Sequence, residues 1–397
     1  MTERNVGTAP SARPVEPDRI VEAIRSVVGD KAALHEPEFA GNEWSYVRDT
    51  IDTGWVSSAG SYVDRFEEML AERLGVARVV ATSNGTAALH LALLLAGVEP
   101  GDEVLTPALT FVATANAVTY CGAIPHFVDA SEESLGIDPY RLAAHLAEIG
   151  ERRASGLVNR RTGRRITALL PMHTFGHPVD LDPLLELAER FGLVVVEDAA
   201  ESIGSLYKGR PTGALGSIGA LSFNGNKTVT TGGGGAVVLG DRDLGNRAKH
   251  LSMQAKVDHR WEYIHDEIGF NYRMPNLNAA LGCAQLEQLD GFLNDKRRLA
   301  ERYADAFSDL AGVRFFVEPP FARSNYWLNA ILLDEPDLQQ RDAVLAATNA
   351  AGLMTRPVWR LMHRLPMYAD APRDSLEVAE ALELRLINIP SSARLGR

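Results

Sequence analysis

The sequence predicts an α/β fold in which mainly parallel strands alternate with crossover helices. Three observations carry that expectation. Short apolar runs such as "ARVVATS", "AIPHFVDA" and "LVVVEDAA" recur at intervals and are bounded by turn residues. Most are separated by stretches of helical periodicity, the pattern of parallel strands joined by helices. The chain has 397 residues, more than one hydrophobic core usually serves, so a second, smaller unit is expected.

Taken in order, "ARVVATS" reads as a strand, and "NGTAALHLALLLAG" as a helix that stops at Gly97. "DEVLTPALT" is a strand, "FVATANAVTYCG" a helix and "AIPHFVDA" a strand. "RITALLPMH", "DLDPLLELAERFG" and "LVVVEDAA" repeat the strand–helix–strand order, and "IGALSFN" is a further strand. Past Gly269 the pattern changes. "NLNAALGCAQLEQLDGFLNDKRRLAERYADAF" is one long amphipathic helical stretch, and the rest mixes short strands and helices. The expected organisation is a disordered terminus over 1–17, rich in Pro and charge, a large domain over 18–285 with helices at its N-terminal side, and a small domain over 286–397. Glu151 to Arg165 carries six arginines. It reads as a solvated loop, with contact to a phosphorylated substrate as the lesser alternative.

Composition narrows the function classes. The chain is 46% hydrophobic and 23% charged, ordinary for a globular protein, and its net charge of -12 argues against a general nucleic-acid binder. The N-terminal segment has no apolar core of a secretory signal, and "AALHLALLLAG" is too short to cross a bilayer. Cys121 and Cys283 lie far apart in apolar settings, with no metal or disulfide spacing, which fits a reducing cytoplasm.

Four stretches could carry chemistry. "TSNGTAAL" follows a strand and opens a helix. Gly85 lets backbone N–H groups approach an anion, the helix dipole favours negative charge, and Ser83 and Thr86 add hydroxyls. A plain helix cap would use the same residues. "VVVEDAAES" places Glu197 and Asp198 at the carboxyl end of a buried strand, where open α/β sheets bind ligands. A carboxylate there needs a partner: a protonated ring nitrogen of a cofactor, a neighbouring Arg or a loop it caps. Lys227, in "SFNGNKTVTTGGGGAVV", is either a solvated loop lysine or a desolvated nucleophile of the Schiff-base kind. Gly232 to Gly235 would then permit a tight turn and close approach of backbone to a flat ligand. Phe111 stands where a strand meets a helix and either stacks on a planar ring or packs in the core. Neither a phosphate-binding P-loop nor a dinucleotide frame is present around these glycines.

The order of these motifs, followed by "IGFNYRMPNLNAALG", resembles the DegT/DnrJ/EryC1/StrS family of sugar aminotransferases that use pyridoxal 5'-phosphate. The resemblance runs from about Gly54 to about Ser392. It implies the fold type I architecture of aspartate aminotransferase, a mainly parallel seven-stranded sheet with a smaller C-terminal α/β domain, and active sites shared across a homodimer. It implies Lys227 as the lysine that carries the cofactor and shuttles a proton, and Asp198 as partner of the pyridine nitrogen. Phe111 matches the ring-stacking aromatic, and Gly85, Thr86 and Ser222 match the phosphate binders. Asn271 matches an Asn that reaches the phosphate from the neighbouring subunit. Glu201 stands where many members have Gln or His near the cofactor.

The implied reaction takes an amino group from L-glutamate and gives it to a keto sugar on a nucleotide diphosphate. "PMHTFGHPVDLD" and "TRPVWRLMHRLPMY" look like the branch that serves legionaminic acid and bacillosamine synthesis. That favours UDP-4-keto-6-deoxy-N-acetylglucosamine aminated at C4, with GDP- and dTDP-keto sugars as alternatives. Dehydratases of the family use pyridoxamine phosphate, and several carry His in place of the lysine, so Lys227 favours transamination. Arg273, Trp359 and Arg360 are candidate sugar or diphosphate contacts, each equally open to a structural role. His173, near a strand end, reads first as a structural histidine.

Overall fold

A computed structural model describes residues 15–397, so the disorder expected for 1–14 lies outside the described residues. Residues 15–17 are ordered: Val15 is buried, and Pro17 opens the first helix, Pro17–Val28. Proline suits that position because the first helical N–H has no intrahelical acceptor.

Seven strands form the central sheet in the order Arg78–Thr82, Gly235–Leu239, Ile218–Ser222, Val194–Asp198, Arg165–Leu169, Glu103–Pro107, Ile124–Val128. All neighbours pair in parallel except around Gly235–Leu239, which runs antiparallel to both flanking strands. The fold is therefore the mainly parallel α/β sheet expected. Its strands are buried almost end to end, as sheets covered on both faces require. Helix Gly85–Leu95 packs on one face over Val80, Val104, Val196 and Val237. The other side carries Phe66, Leu70, Phe223 and Val238 in a separate apolar cluster.

The arginine-rich segment is not a loop. Gly150–Arg153 and Gly156–Asn159 form an antiparallel hairpin, and the second strand extends the sheet beside Arg165–Leu169. Leu157 and Val158 are buried, while Arg152, Arg153, Arg160, Arg161 and Arg164 stay exposed. The long C-terminal helical stretch is likewise two helices, Asn276–Glu287 and Leu289–Phe307. The break falls at Gln288, whose side-chain amide bonds Glu43 Oε1 at 2.6 Å and the Ala284 carbonyl at 3.0 Å.

A four-stranded antiparallel sheet, Val313–Phe315, Asn329–Leu333, Leu386–Ile389 and Arg356–Pro357, forms the C-terminal layer. The expected domain division is corrected here in two ways. The boundary between residues 285 and 286 cuts helix Asn276–Glu287. Helix Pro17–Val28 packs not on the large sheet but on helices Leu289–Phe307 and Leu338–Ala350, burying Ile20, Ile24 and Val27 with Leu299, Tyr303 and Ile387. A further apolar cluster joins Ala108, Leu109, Phe127 and Phe175 of the first layer to Trp327, Leu361 and Leu386 of the second. No helix among the described residues is long and apolar enough to cross a membrane.

Candidate active site

A cavity of about 350 Å³ opens at the carboxyl ends of the central strands. That is where a parallel sheet places ligand groups. Gly85, Thr86, Phe111, Asp198, Glu201, Ser222, Lys227 and Trp359 all line it, so eight of the candidate residues converge on one space.

Gly85 and Thr86 begin helix Gly85–Leu95, and their N–H groups have no intrahelical acceptor. Asn84 caps the helix by accepting from Ala87 N–H at 2.8 Å. A Cβ on Gly85 would stand 2.7 Å from Ser222 Cβ, so only glycine lets the helix start this close to the Ser222 strand end. The four consecutive glycines act differently from expectation. None lines the cavity. Gly235 instead lies against main chain, where an added Cβ would meet Asn84 C at 2.5 Å. Gly235 thus serves backbone packing beside the Asn84–Gly85 turn and Gly234 lies against the Thr231 and Met274 side chains, while Gly232 and Gly233 border open space.

Asp198 ends its strand with the carboxylate fully buried. Oδ2 accepts from the Thr114 hydroxyl at 2.8 Å and Oδ1 from Ala200 N–H at 3.2 Å. Burial pushes this carboxyl above the usual range, against the pull of those donors and of Lys227. No cation touches it among the described residues, so a protonated ring nitrogen would supply the counter-charge it lacks. Glu197, one residue earlier, points away. It accepts from Gly213, Leu215 and Gly216 N–H and from His173 Nε2 at 3.0 Å. Burial would raise Glu197, but these donors hold it below the usual range. His173 is thus a structural histidine.

Lys227 lies in the loop between strands Ile218–Ser222 and Gly235–Leu239, with its side chain 12% exposed. Its Nζ is 3.2 Å from Glu201 Oε1 and 3.7 Å from the centre of the Trp327 ring. Glu201 Oε2 accepts from Phe175 N–H at 2.9 Å. Burial lifts the Glu201 carboxyl to about 7, even though Lys227 and the Phe175 N–H draw it down. Phe111 caps helix Val112–Tyr120 and stays half exposed at the cavity wall, 6.2 Å from the Trp359 ring.

Three candidates fall outside. Arg273 is buried in an ion pair with Glu67 and also faces the Ala81 carbonyl, so the chain's own carboxylate occupies it. Arg360 is exposed in a separate groove with Arg341, Arg364 and Glu383. Asn271 is exposed and lines no part of this cavity within the chain.

Residues missed by the sequence reading complete the wall: Asn84, Thr114, Met172, Asn224, Asn226 and Trp327. Thr114 carried a usable signal, one turn along the helix from Phe111 and hence on the same face. Trp327 carried none, because its place depends on how the C-terminal layer docks. Cys121 and Cys283 are buried free thiols.

A helix N-terminus for an anion, a buried carboxylate without a cation, a partly desolvated amine and aromatic walls together fit a flat, phosphorylated, ring-protonated cofactor. Comparison with known proteins agrees. The family model of the DegT/DnrJ/EryC1/StrS aminotransferase family matches residues 37–397. The chain is 40% identical over 368 residues to GDP-perosamine synthase of Caulobacter vibrioides, covering 92% of this chain and 94% of that one. It is 38% identical over 363 residues to GDP-perosamine synthase of Escherichia coli O157:H7, covering 91% and 94%. The crystal structure of the aminotransferase TlmJ from Streptoalloteichus hindustanus superposes with a TM-score of 0.82 at 30% identity, covering 91% and 93%. The chain belongs to the DegT/DnrJ/EryC1/StrS aminotransferase family, and is a sugar transaminase whose cofactor is pyridoxal 5'-phosphate.

Proposed function

We propose that the enzyme moves an amino group from L-glutamate to a 4-keto-6-deoxy sugar carried on GDP. The observation that supports the chemistry is the Lys227 amine, set against Glu201 in a cavity that also holds the buried Asp198 carboxylate. The UDP-linked sugar favoured by the sequence motifs gives way to the GDP alternative, because relatives at 40% and 38% identity are GDP-perosamine synthases.

When bound, pyridoxal 5'-phosphate supplies the electron sink for the transfer. Gly85, Thr86 and Ser222 would hold its phosphate, and Asp198 would hold the proton on its ring nitrogen. Phe111 would cover one ring face. Lys227 would hold the cofactor through its Nζ and, with that amine free, would act as the base that takes the proton from the donor's α-carbon and as the acid that gives it back on the same face. Glu201 supplies a buried carboxyl beside that amine. Asn271, exposed on this chain, would reach the phosphate site of a second copy, which makes the working unit a homodimer. We place that unit in the cytoplasm, in keeping with the two reduced thiols.

The test is mass spectrometry of reactions containing the protein, pyridoxal 5'-phosphate, L-glutamate and either GDP-4-keto-6-deoxymannose or UDP-4-keto-6-deoxy-N-acetylglucosamine. The proposal expects amino sugar and 2-oxoglutarate with the GDP substrate. Product only with the UDP substrate would overturn the nucleotide assignment. Sugar deoxygenation without 2-oxoglutarate would favour the dehydratase alternative. Lys227→Ala should abolish turnover and the visible cofactor band, and retention of both would remove Lys227 from its role.

A further inference from the structure

Trp327 comes from the C-terminal layer yet meets the reacting lysine. Its ring centre lies 3.7 Å from Lys227 Nζ, well inside the range of a cation–π contact. The same amine lies 3.2 Å from Glu201 Oε1. It therefore has both a carboxyl group and an indole face as direct neighbours.

The indole is fixed from several directions. Its Nε1–H donates to the Asn226 carbonyl at 2.7 Å, immediately before Lys227. Its main-chain N–H donates to Asn325 Oδ1 at 2.8 Å. Asn325 Nδ2 in turn donates to the Glu201 carbonyl at 2.9 Å. One asparagine thus ties the aromatic partner of Lys227 to its carboxylate partner. The preceding residue, Tyr326, has φ 47°, a left-handed conformation that costs energy in a residue with a bulky side chain.

Lys296, in helix Leu289–Phe307, lies directly behind this turn. It is 1% exposed, and its Nζ donates to the carbonyls of Trp327 at 3.1 Å, Tyr326 at 3.4 Å and Ser391 at 2.7 Å. No carboxylate pairs with it among the described residues. A buried lysine satisfied only by main-chain carbonyls is a costly way to fill a core. Here it cross-links the strained turn that presents Trp327 to the segment after the last strand.

We propose that Trp327 is a positioning residue for Lys227: its indole face seats the free amine beside Glu201, and Lys296 holds that seat in place. The inference rests on the transaminase reading and extends it to the intervals in which Lys227 is not bonded to cofactor. Besides Glu201, the titratable groups near the amine are Asp198 and, on the N-terminal segment, His35, which also feels Lys296.

The experiment is a pH titration of Lys227 reactivity in the full-length protein freed of cofactor. Acetic anhydride is the probe, and labelling of the Lys227 peptide is read by mass spectrometry. Removing the indole face removes a contact that favours the charged amine. Trp327→Leu should lower the labelling midpoint by about 0.5–1 pH unit, and Trp327→Phe, which keeps a smaller π face, by less. Lys296→Met, of similar length and apolar, should move the midpoint in the same direction as Trp327→Leu while near-ultraviolet circular dichroism stays native. In the loaded enzyme the same variants should lower kcat more than they raise KM for L-glutamate. A midpoint in Trp327→Leu equal to or above that of the wild type overturns the proposal, as does a Trp327→Phe midpoint below that of Trp327→Leu. The titration needs neither substrate nor turnover. A protein that shows these shifts but fails to aminate the sugar loses the substrate assignment and keeps the positioning role.

Discussion

Replacing Glu201 by Gln probes the electrostatics of the site without turnover. The wild-type carboxyl is held at about 7 by burial, against an ordinary value of 4.5 in the unfolded chain. The folded state therefore binds this proton more tightly than the unfolded state does. Below about pH 4.5 both states are protonated and Glu201 costs nothing. As pH rises from there to about 7 the unfolded chain releases its proton first, so stability falls through that window and levels off above it. The difference corresponds to about 3 kcal/mol at pH 8. At roughly 2 cal/mol/K of unfolding entropy per residue, that becomes a melting shift of about 3–4 °C in a chain of this length. Gln keeps an acceptor for Phe175 N–H but has no titration. The assay is the melting midpoint of cofactor-free wild type and Glu201→Gln from pH 4.5 to 8. The variant's midpoint should rise relative to wild type across the window by about that amount, whatever pH-independent offset the amide itself adds; the Lys227 contact is already counted in the value of about 7. A flat difference, or one that moves the other way, would refute the buried high-pKa carboxyl.

Other expectations follow from single contacts. Thr114→Val removes a hydrogen bond to a charged carboxylate, and cofactor affinity should fall about 10- to 100-fold in a fluorescence titration, with little change in melting. Phe223 is fully buried against Phe66 at 5.0 Å, and its main chain anchors Thr231 and Gly234. Phe223→Ala should cost about 3–5 kcal/mol in denaturant unfolding and loosen the Lys227 loop. Mixed dimers of Asn271→Ala with Lys227→Ala subunits should regain one working site in two, whereas no recovery would count against a site shared between subunits.

Much of the site was legible because it is local. Asp198 announces itself as a polar group at the end of an apolar strand, Lys227 as a lone cation in the loop that follows one, and Gly85 as a small residue at a strand-to-helix turn. The errors arise where a partner lies far along the chain. Arg273 reads as a free cation until Glu67 comes to it. Arg360 and Trp359 are neighbours in sequence, yet they face different spaces, which a list of residue types does not reveal. Trp327 sits in "SNYWLNAILL", which reads as the start of an ordinary buried strand. The hairpin at Gly150–Asn159 was hidden by its arginines, although "GLVN" between them is a short strand with a buried pair. The helix break at Gln288 involves no Gly or Pro, only a tertiary hydrogen bond to Glu43.

The packing of helix Pro17–Val28 on the C-terminal layer has a consequence for how the chain is made. This helix leaves the ribosome before every strand of the central sheet, but helices Leu289–Phe307 and Leu338–Ala350, which cover Ile20, Ile24 and Val27, leave it after all of them. At about 5–20 residues per second the wait is roughly 15–60 s. Throughout it, an apolar helical face stands open while the central sheet assembles beside it. The C-terminal layer thus closes over this helix and also brings the Trp327 indole to the Lys227 amine.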